Sequence, residues 1–440
     1  GNRVDHRAYE TVKRNLQVRA ADRGYVDMAI TEARIDVWPE DNAADLTLKL
    51  SSGERYAFGD VRHQQDFLDP TLIDGYIAIE PGTPFDRQLL QRAQTALTDS
   101  GYFGRIQLTA DFDAASDGRI PVSVVLEPGT RIEYTLGAGA STDTGPRARA
   151  GFRNNRLNQR GHRVTADLNV STLLQGFNAE YRMPLGDPRS EWRSFTGAVF
   201  SEATDTFETD AANLGYRRSK RLSDSWIRTA GVDLSYDNFE VADEQRETWL
   251  LVPSLTFDHK SADSDLYPNR GRRLTFDVNG TSDAIGSSTS FLQVTAQARW
   301  VRALGERTRL LARTMLGYTV TDDFDRLPPS VRFFAGGDES IRGFDLDSLG
   351  TLDANGDVVG GTRIAVASIE VETRLKGNFY GAAFVDAGNA FSDEDFDPAV
   401  GTGFGIKWRS PVGPVRFYVG FPVDEEDRDP RIHLRLGADL

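Results

Sequence analysis

The sequence predicts an α+β region followed by an all-β, sixteen-stranded transmembrane β-barrel. Two observations support this: the pattern changes near residue 130, and apolar and polar residues then alternate in one segment after another. No run of eighteen apolar residues occurs, so we expect no transmembrane helix. A mean hydropathy of −0.43 is compatible with a membrane barrel, because a barrel strand shows only every second residue to lipid.

Before residue 130, helical and strand patterns alternate in two copies with a period of roughly 75 to 80 residues. Gly24-Tyr25-Val26 matches Gly101-Tyr102-Phe103, and each closes a predicted helix and opens a predicted hairpin. The first copy lacks its opening strand and helix, so we expect the chain to begin inside a domain. The alternative is two unrelated α+β pieces. The predicted elements are helices 9–23 and 86–100 and strands 29–38, 44–50, 102–112 and 119–126.

After residue 130, strand patterns dominate. Leu292, Val294 and Ala296 alternate with polar residues, and Trp192 and Trp408 are among the tryptophans near strand ends, as in an interfacial girdle. A soluble sandwich also alternates, but charges of both signs on the polar face favour a wet lumen. The predicted strands are 131–142, 147–154, 162–171, 177–183, 191–202, 207–218, 226–238, 246–258, 271–281, 289–302, 307–319, 361–374, 379–386, 400–409, 414–422 and 431–439.

An even number of strands places both ends of the barrel on one side of the membrane. The connection 320–360 follows the eleventh strand and is therefore expected on the outer face. Connections of this length are usually functional or disordered, and the absence of a low-complexity tract favours order.

Composition and spacing argue against several other functions. The net charge of −15 disfavours nucleic acid as a partner, and without cysteine there is no disulfide or thiolate metal site. The five histidines form no spaced ligand pair, and no nucleophile elbow, phosphate-binding loop or zinc-protease motif occurs. Asp353-x-Asn355-x-Asp357 starts like a calcium loop but lacks its later glycine and glutamate. We therefore expect no enzyme, no cofactor and no metal.

One motif stands out within the long connection. Ile341-Arg342-Gly343-Phe344 follows two glycines, which suits a loop tip that packs into a cavity and presents a single guanidinium. A buried guanidinium needs a carboxylate partner, and Asp386, which alternates with Val385 in a predicted strand, could supply it from the lumen. A surface arginine is the alternative interpretation.

With these residues the sequence resembles the BamA/TamA superfamily of outer-membrane assembly proteins. In that family an (Ile/Val)-Arg-Gly-(Phe/Tyr) tip lies on the sixth extracellular loop and its arginine pairs with an aspartate of the thirteenth strand, here Asp386. Tyr267–Gly271 and the turn 410–414 resemble further family turns. The resemblance implies that residues 1–52 are a partial POTRA domain, 53–129 a POTRA domain and 130–440 the barrel.

Within the superfamily the chain looks most like the TamA branch. Leu136-Gly137-Ala138-Gly139 and the segment Asp353–Asp357 resemble that branch, and the ending in Leu440 departs from the Phe or Trp that is usual in BamA. TamA proteins have three POTRA domains, so the first is expected to be missing here.

The resemblance implies an outer-membrane protein with N-terminal domains in the periplasm that inserts or secretes β-barrel or autotransporter clients. Its first and last strands would pair poorly and form a lateral gate, with Gly137, Gly139, Gly437 and Leu440 as candidate gate residues; the glycines could instead serve close packing. The implied partners are unfolded clients, an inner-membrane-anchored TamB-type protein, and outer-membrane lipid with lipopolysaccharide near the acidic runs 392–397 and 424–429. A two-partner-secretion pore and a passive porin are the alternatives.

Overall fold

The computed structural model of the protein describes residues 5–264, 267–392, 396–410, 413–423 and 429–436, which form two compact units. The first unit holds the described residues up to Ile132 together with Asn155–His162 and Asp187–Arg189. The second unit holds Glu133–Asn154, Arg163–Gly186 and the described residues from Ser190 onwards.

The first unit contains three helices and five strands. Its elements, in chain order, are α1 (His6–Asp22), β1 (Ala29–Trp38), β2 (Ala43–Ser51), β3 (Ala57–Gln64), α2 (Pro70–Ile77), α3 (Arg87–Ser100), β4 (Phe103–Ala110) and β5 (Arg119–Pro128). Side chains of Asp5, Asp69 and Asp86 cap the three helices by accepting a backbone N–H from the first turn. The predicted helices and strands of this region are confirmed, while β3 and α2 were not predicted.

The β-α-α-β-β segment from β3 to β5 has its own core. Strand β3 lies parallel to β5, and β4 lies antiparallel on the other side of β5. Phe58, Ile73, Leu97 and Ile120 are fully buried between this sheet and the two helices. Helix α3 ends at Gly101, whose φ of +68° suits glycine at a helix C-terminus.

The second unit is a single antiparallel sheet of sixteen strands that nearly closes into a barrel, as the alternation predicted. Each strand pairs with its neighbours along the sheet, from β6 at one edge to β23 at the other. The strands are β6 (Ile132–Ser141), β7 (Gly145–Asn154), β8 (Arg163–Ser171), β9 (Leu174–Pro184), β10 (Glu191–Ala203), β11 (Phe207–Arg221), β12 (Trp226–Val241), β13 (Glu244–Ala262), β14 (Arg270–Thr281), β15 (Phe291–Ala303), β16 (Thr308–Thr321), β19 (Arg363–Lys376), β20 (Phe379–Phe391), β21 (Ala399–Ser410), β22 (Gly413–Pro422) and β23 (Arg431–Leu436).

The two faces of this sheet differ, and the register shows which residues share a face. Leu234 pairs with Leu251 and Tyr236 pairs with Trp249, so these four side chains lie together on the outer face. The inner face carries buried polar side chains such as Asp386. Among the described residues, no helix is both long enough and apolar enough to cross a membrane.

The connection between β16 and β19, residues 322–362, is called the long loop below. It is ordered, as expected, and contains the short hairpin β17 (Thr351–Leu352) and β18 (Val358–Gly360). The carboxylate of Asp353 accepts the backbone N–H groups of Asn355 and Asp357 at 2.8 and 2.9 Å. These hydrogen bonds lower the pKa of Asp353. The acidic spacing that mimics a calcium loop therefore serves a turn.

Candidate functional site

The long loop turns inward and packs on the inner face of the barrel. Phe333, Ala335, Ile341 and Phe344 of the loop are buried in one apolar cluster with Ile364, Val366 and Ala390 of strands β19 and β20. The loop segment 336–345 is called the loop tip below. The apolar cluster holds this tip in the lumen, which brings Arg342 to the inner wall of the barrel.

Arg342 is 5% exposed and makes a two-pronged ion pair with Asp386 of β20, which is fully buried. Its Nε and Nη2 donate to the two carboxylate oxygens of Asp386 at 2.7 and 2.9 Å. The backbone N–H of Arg342 donates to the same carboxylate at 3.0 Å. The structure thus brings together the two residues that the sequence analysis paired, and it fixes the loop tip by side chain and backbone at once.

A second carboxylate and two aromatic rings complete the surroundings of this guanidinium. Nη1 of Arg342 donates to Glu370 of β19, and the hydroxyl of Tyr418 donates to the other oxygen of Glu370 at 2.7 Å. The guanidinium carbon lies 3.5 Å from the ring centre of Phe384 and 5.0 Å from that of Tyr418. Burial alone would lower the pKa of Arg342, but the hydrogen bonds to Asp386 and the charges of Asp386 and Glu370 raise it. The arginine is therefore permanently charged.

The loop tip also lies directly against the backbone of β21 and β22. A side chain at Gly401 would place its Cβ only 1.9 Å from the carbonyl oxygen of Arg342, and one at Gly420 would lie 2.8 Å from the backbone nitrogen of Gly343. Gly343 itself has φ +104°, a conformation that other residues rarely adopt. Two strand glycines and one tip glycine therefore allow this close approach.

The last strand is held by the loop tip along its inner face. Arg431, His433 and Arg435 of β23 pair with Asp345, Asp338 and Glu339 respectively. Nε2 of His433 also accepts the backbone N–H of Gly343 at 3.0 Å, so its Nδ1 carries the hydrogen that bonds Asp338. The inward residues of β23 are thus bound to the loop as well as to the sheet.

The same tip reaches the first hairpin of the barrel. Asp143, in the turn between β6 and β7, accepts the backbone N–H of Asp338 at 2.7 Å. Residues that follow β6 also bond to β23: the backbone N–H of Thr142, in the same turn, donates to the carbonyl of Leu434 at 3.3 Å, and Nη2 of Arg147 in β7 donates to the carbonyl of Leu436 at 2.6 Å. We call the place where the hairpin of β6 and β7 meets β23 the seam. Asp338 bridges it by contacting both sides.

Asp143, Asp338 and His433 are also the residues here that could hold a metal ion, since their ligand atoms lie within 4.8 Å of one another. Burial and the charge of Asp338 raise the pKa of Asp143, against the hydrogen bond from the backbone of Asp338. His433 bonds to the carboxylate of Asp338, and the carboxylate of Asp143 accepts the backbone N–H of Asp338, so each of the three has a partner without a metal ion. Because 195 residues separate Asp143 from Asp338 and 95 separate Asp338 from His433, no sequence spacing could indicate this cluster.

A second buried ionic cluster lies on the inner face, away from the loop tip. Glu372 of β19 accepts from Arg309 of β16 at 2.5 Å and from Lys407 of β21 at 3.0 Å. All three side chains are at most 2% exposed. Arg309 also donates to the carbonyl of Pro268, in the turn that the sequence analysis compared with family turns, at 2.6 Å.

The remaining predicted site residues fall in different places. Ile341 and Phe344 are buried in the apolar cluster. Gly137 and Gly139 lie in β6 at the seam: a Cβ on Gly137 would meet nothing closer than 3.9 Å, and one on Gly139 would meet Arg147 at 3.1 Å. Gly437 and Leu440 lie outside the described residues, as does part of each acidic run at 392–397 and 424–429.

Sequence reasoning missed Glu370, Tyr418, Arg313 and His433. Arg313 donates to Asp386 at 3.3 Å and to two carbonyls of the loop tip. Part of this could have been read from the sequence, because each of these polar residues occupies a position that alternation places on the inner face of its strand. Charged residues on the inner face are candidate partners for a buried arginine.

Comparison with known proteins identifies the family of this fold. The model of the Omp85 superfamily domain matches residues 155–439, well over half of the chain. The chain belongs to the Omp85 superfamily. Membership and the barrel together indicate that this Omp85 protein resides in the outer membrane.

Two curated relatives of this Omp85 protein carry the name outer membrane protein assembly factor BamA. The protein from Nitratidesulfovibrio vulgaris is 29% identical over 213 residues, covering 45% of this chain and 26% of that protein. The protein from Neisseria meningitidis is 22% identical over 496 aligned positions, covering 96% of this chain and 61% of that protein. The chain therefore spans less than two thirds of the length of either relative.

Solved structures show the same fold. The crystal structure of BamA from Haemophilus ducreyi lacking POTRA domains 1–3 matches this Omp85 protein with a TM-score of 0.82 at 14% identity, covering 99% of this chain and 94% of that one. CdiB from Acinetobacter baumannii matches with a TM-score of 0.59 at 13% identity, covering 99% and 82%. CdiB from Escherichia coli gives 0.60 at 14% identity, covering 99% and 84%.

Proposed function

We propose that this protein is an outer-membrane assembly factor of the TamA type, without enzymatic activity, that inserts or secretes β-barrel or autotransporter clients. The clients would enter through a lateral gate between β6 and β23. The curated relatives are named as assembly factors, which supports the general role. The TamA assignment rests on the resemblance of the segments 136–139 and 353–357.

The observation that supports a gate best is the way β23 is held. Its inner residues Arg431, His433 and Arg435 bond to the loop tip, and Asp338 of that tip also bonds to Asp143 beyond β6. Movement of one loop would therefore release the seam without disrupting the other strand pairs. A released edge offers backbone N–H and C=O groups to which a client strand can add before it enters lipid.

We propose that the segment from β3 to β5 is a POTRA domain and that the preceding described residues belong to a second one, both in the periplasm. The order β-α-α-β-β, with a three-stranded mixed sheet covered by two helices, supports this assignment. In this proposal the two domains receive clients and contact a TamB-type partner, while the outer barrel surface contacts lipid and lipopolysaccharide.

Export of a soluble partner protein, as in two-partner secretion, is a second candidate. The likeness to two CdiB structures favours it, although their TM-scores are well below that of the BamA structure. The two functions differ in route, because a secreted protein would pass through the lumen and a membrane client would leave through the seam.

A disulfide across the seam tests the proposed route. The chain has no cysteine, so Thr142→Cys with Leu434→Cys would form a single bond at the observed backbone contact. A control disulfide, Val199→Cys with Ala212→Cys, joins residues that are already paired within the sheet. The full chain is reconstituted in liposomes, and the folding of a urea-unfolded eight-stranded barrel protein is followed by its heat-dependent gel mobility.

We expect the seam disulfide to reduce client folding at least about tenfold, and a reductant to restore it, while the control disulfide has no effect. Normal folding with the oxidised seam disulfide would refute the lateral gate. It would leave the luminal secretion route as the better explanation.

A further inference from the structure

The outer face of the barrel has a concentrated basic area at the end opposite the long loop, on the six adjacent strands β10 to β15. The basic patch, as we call it, consists of Arg193, Arg218, Lys220, Arg228, Arg270, Arg272 and Arg302. The register shows that these residues share the outer face, since Arg193 pairs with Arg218, Lys220 with Arg228, and Arg272 with Trp300.

The two ends of these strands differ in charge, because the end near the long loop carries acidic residues. On the outer face near the long loop, β11 to β13 carry the exposed side chains of Glu208, Asp210, Glu240 and Glu247. The acids described beside the basic patch are Glu191, which pairs with Arg218 and Lys220, and Asp263, whose carboxylate accepts the backbone N–H groups of Asn269 and Arg270. The chain has a net charge of −15 and nevertheless carries seven cations in this one area of the outer face.

The patch lies at the depth where lipid headgroups meet the apolar wall. The next outward residues toward the middle of the barrel are apolar, for example Phe195, Tyr216 and Leu274. On the neighbouring strands the outward residues at this level are also apolar, such as Met183 on β9 and Leu310 on β16. Long basic side chains at such a boundary extend their charged ends to the interface.

An open groove lies within the patch, between β13, β14 and β15. Arg270, Arg272 and Arg302 line it together with the ring of Trp300 and with Asp263, one carboxylate oxygen of which is taken up by two backbone N–H groups. Arg270 pairs with Arg302 across the two strands, and the guanidinium of Arg302 lies 5.9 Å from the centre of the Trp300 ring. Three guanidinium groups around one opening match the oxygen geometry of a phosphate, and the ring suits the adjoining glycerol and upper acyl chain.

We propose that the basic patch binds the phosphate headgroups of anionic phospholipids, such as phosphatidylglycerol, in the leaflet opposite the long loop. Long loops face the outside in outer-membrane barrels, so this is the periplasmic leaflet. Basic residues near a membrane surface attract anionic lipids, and their effects add along a cluster. Bound phospholipid would fix the rotation and depth of strands β10 to β15, which lie far along the sheet from the seam.

Native mass spectrometry of the full chain tests the proposal. The detergent-solubilised protein is incubated with equal amounts of phosphatidylglycerol and phosphatidylcholine of different acyl mass, and the ratio of the two bound lipids is measured. The test variant is Arg228→Gln/Arg272→Gln/Arg302→Gln. The matched control is Arg221→Gln/Lys260→Gln/Arg273→Gln, which removes three exposed cations from the inner face of the same region.

We expect the wild type and the control to prefer phosphatidylglycerol, and the test variant to lose at least about threefold of that preference. A variant with lysine at the three test positions should keep most of it, which separates loss of charge from loss of fold. An unchanged ratio in the glutamine test variant would overturn the proposal and leave an acidic protein as the better partner. If lipid A replaced phosphatidylglycerol and the test variant lost only lipid A binding, the assignment to phospholipid would be wrong.

Discussion

At the scale of the residue, Arg342 concentrates most of the electrostatic interactions of the loop tip. It gives Asp386 two side-chain hydrogen bonds and also neutralises Glu370, while Arg313 adds a longer bond to Asp386 at 3.3 Å. Removing one partner of a buried ion pair costs about 3–5 kcal/mol, because the other charge remains buried without compensation. Most of this loss of folding free energy would come from Asp386 and Glu370, which lose their closest cation, and less from the missing arginine itself.

We therefore predict that Arg342→Ala gives a barrel that still forms but loses its heat-resistant gel mobility at a lower temperature than the wild type. Arg342→Ala/Asp386→Asn should recover part of the lost transition temperature, because the second change removes one of the two carboxylates that lost their closest cation. Arg342→Lys should not rescue fully, since an ammonium cannot form the two-pronged pair. Equal transition temperatures for the wild type and Arg342→Ala would show that the pair does not stabilise the barrel.

Gly401 gives a second prediction that involves no charge. Gly401→Ala places a methyl group where the carbonyl oxygen of Arg342 lies at 1.9 Å, so the loop tip must move away from β21. We expect Gly401→Ala to lower the temperature at which the heat-resistant gel mobility is lost by nearly as much as Arg342→Ala does. The control is Gly137→Ala in β6, whose new methyl group meets nothing closer than 3.9 Å. Similar shifts for both alanine variants would mean that close packing of the tip is unimportant.

At the scale of the element, the strands were predictable and the contacts of the long loop mostly were not. Alternation identifies strands such as β15 because each side chain meets either the outer face or the lumen. Strand β3 and helix α2 escaped prediction. Phe58 and Gly59 are neighbours in sequence and both buried, which interrupts the alternation at the start of β3. The pair Arg342–Asp386 was predicted from the alternation around Asp386 together with the family resemblance, whereas His433 and Glu370 depend on tertiary proximity.

Asp347 makes the long loop sensitive to pH. Burial, with the charges of Glu202 and Asp143, raises the pKa of Asp347 to about 7. A pKa raised on folding means that protonation favours the folded loop. The stabilisation is complete below the ordinary pKa of 3.8 and is lost as pH rises through about 7.

We predict that Asp347→Asn removes this pH dependence, measured as the rate of protease cleavage in the long loop between pH 5 and pH 8. Asparagine has the same shape and tolerates the φ of +54° found at Asp347. In the wild type, cleavage should be faster at pH 8 than at pH 5, after correction for the protease's own pH profile on an unfolded substrate. The variant should be cleaved slowly at both values, and a pH dependence equal to that of the wild type would contradict this explanation.

At the scale of the whole barrel, the loop tip acts on one side of the ring. It bonds to β19 and β20 through Glu370 and Asp386, to β23 through His433, and to the first turn through Asp143. Strands β10 to β15 instead depend on long, continuous ladders of backbone pairs, such as the sixteen pairs between β12 and β13. The barrel therefore combines a sector stabilised by its own sheet with a seam sector stabilised by a loop.

This division predicts a local response when the tip is removed. Replacing residues 336–345 by a glycine-serine segment of equal length should leave the sixteen strands in place, because the backbone ladders do not include the tip. Amide hydrogen exchange should accelerate by at least about tenfold in the described part of β23 and in the turn at Asp143, and remain unchanged in β12 and β13. Ala383→Gly on the outer face of β20 serves as a control for general destabilisation. If exchange rose equally around the ring, the tip would be a support for the entire barrel, and its release could not open the seam selectively.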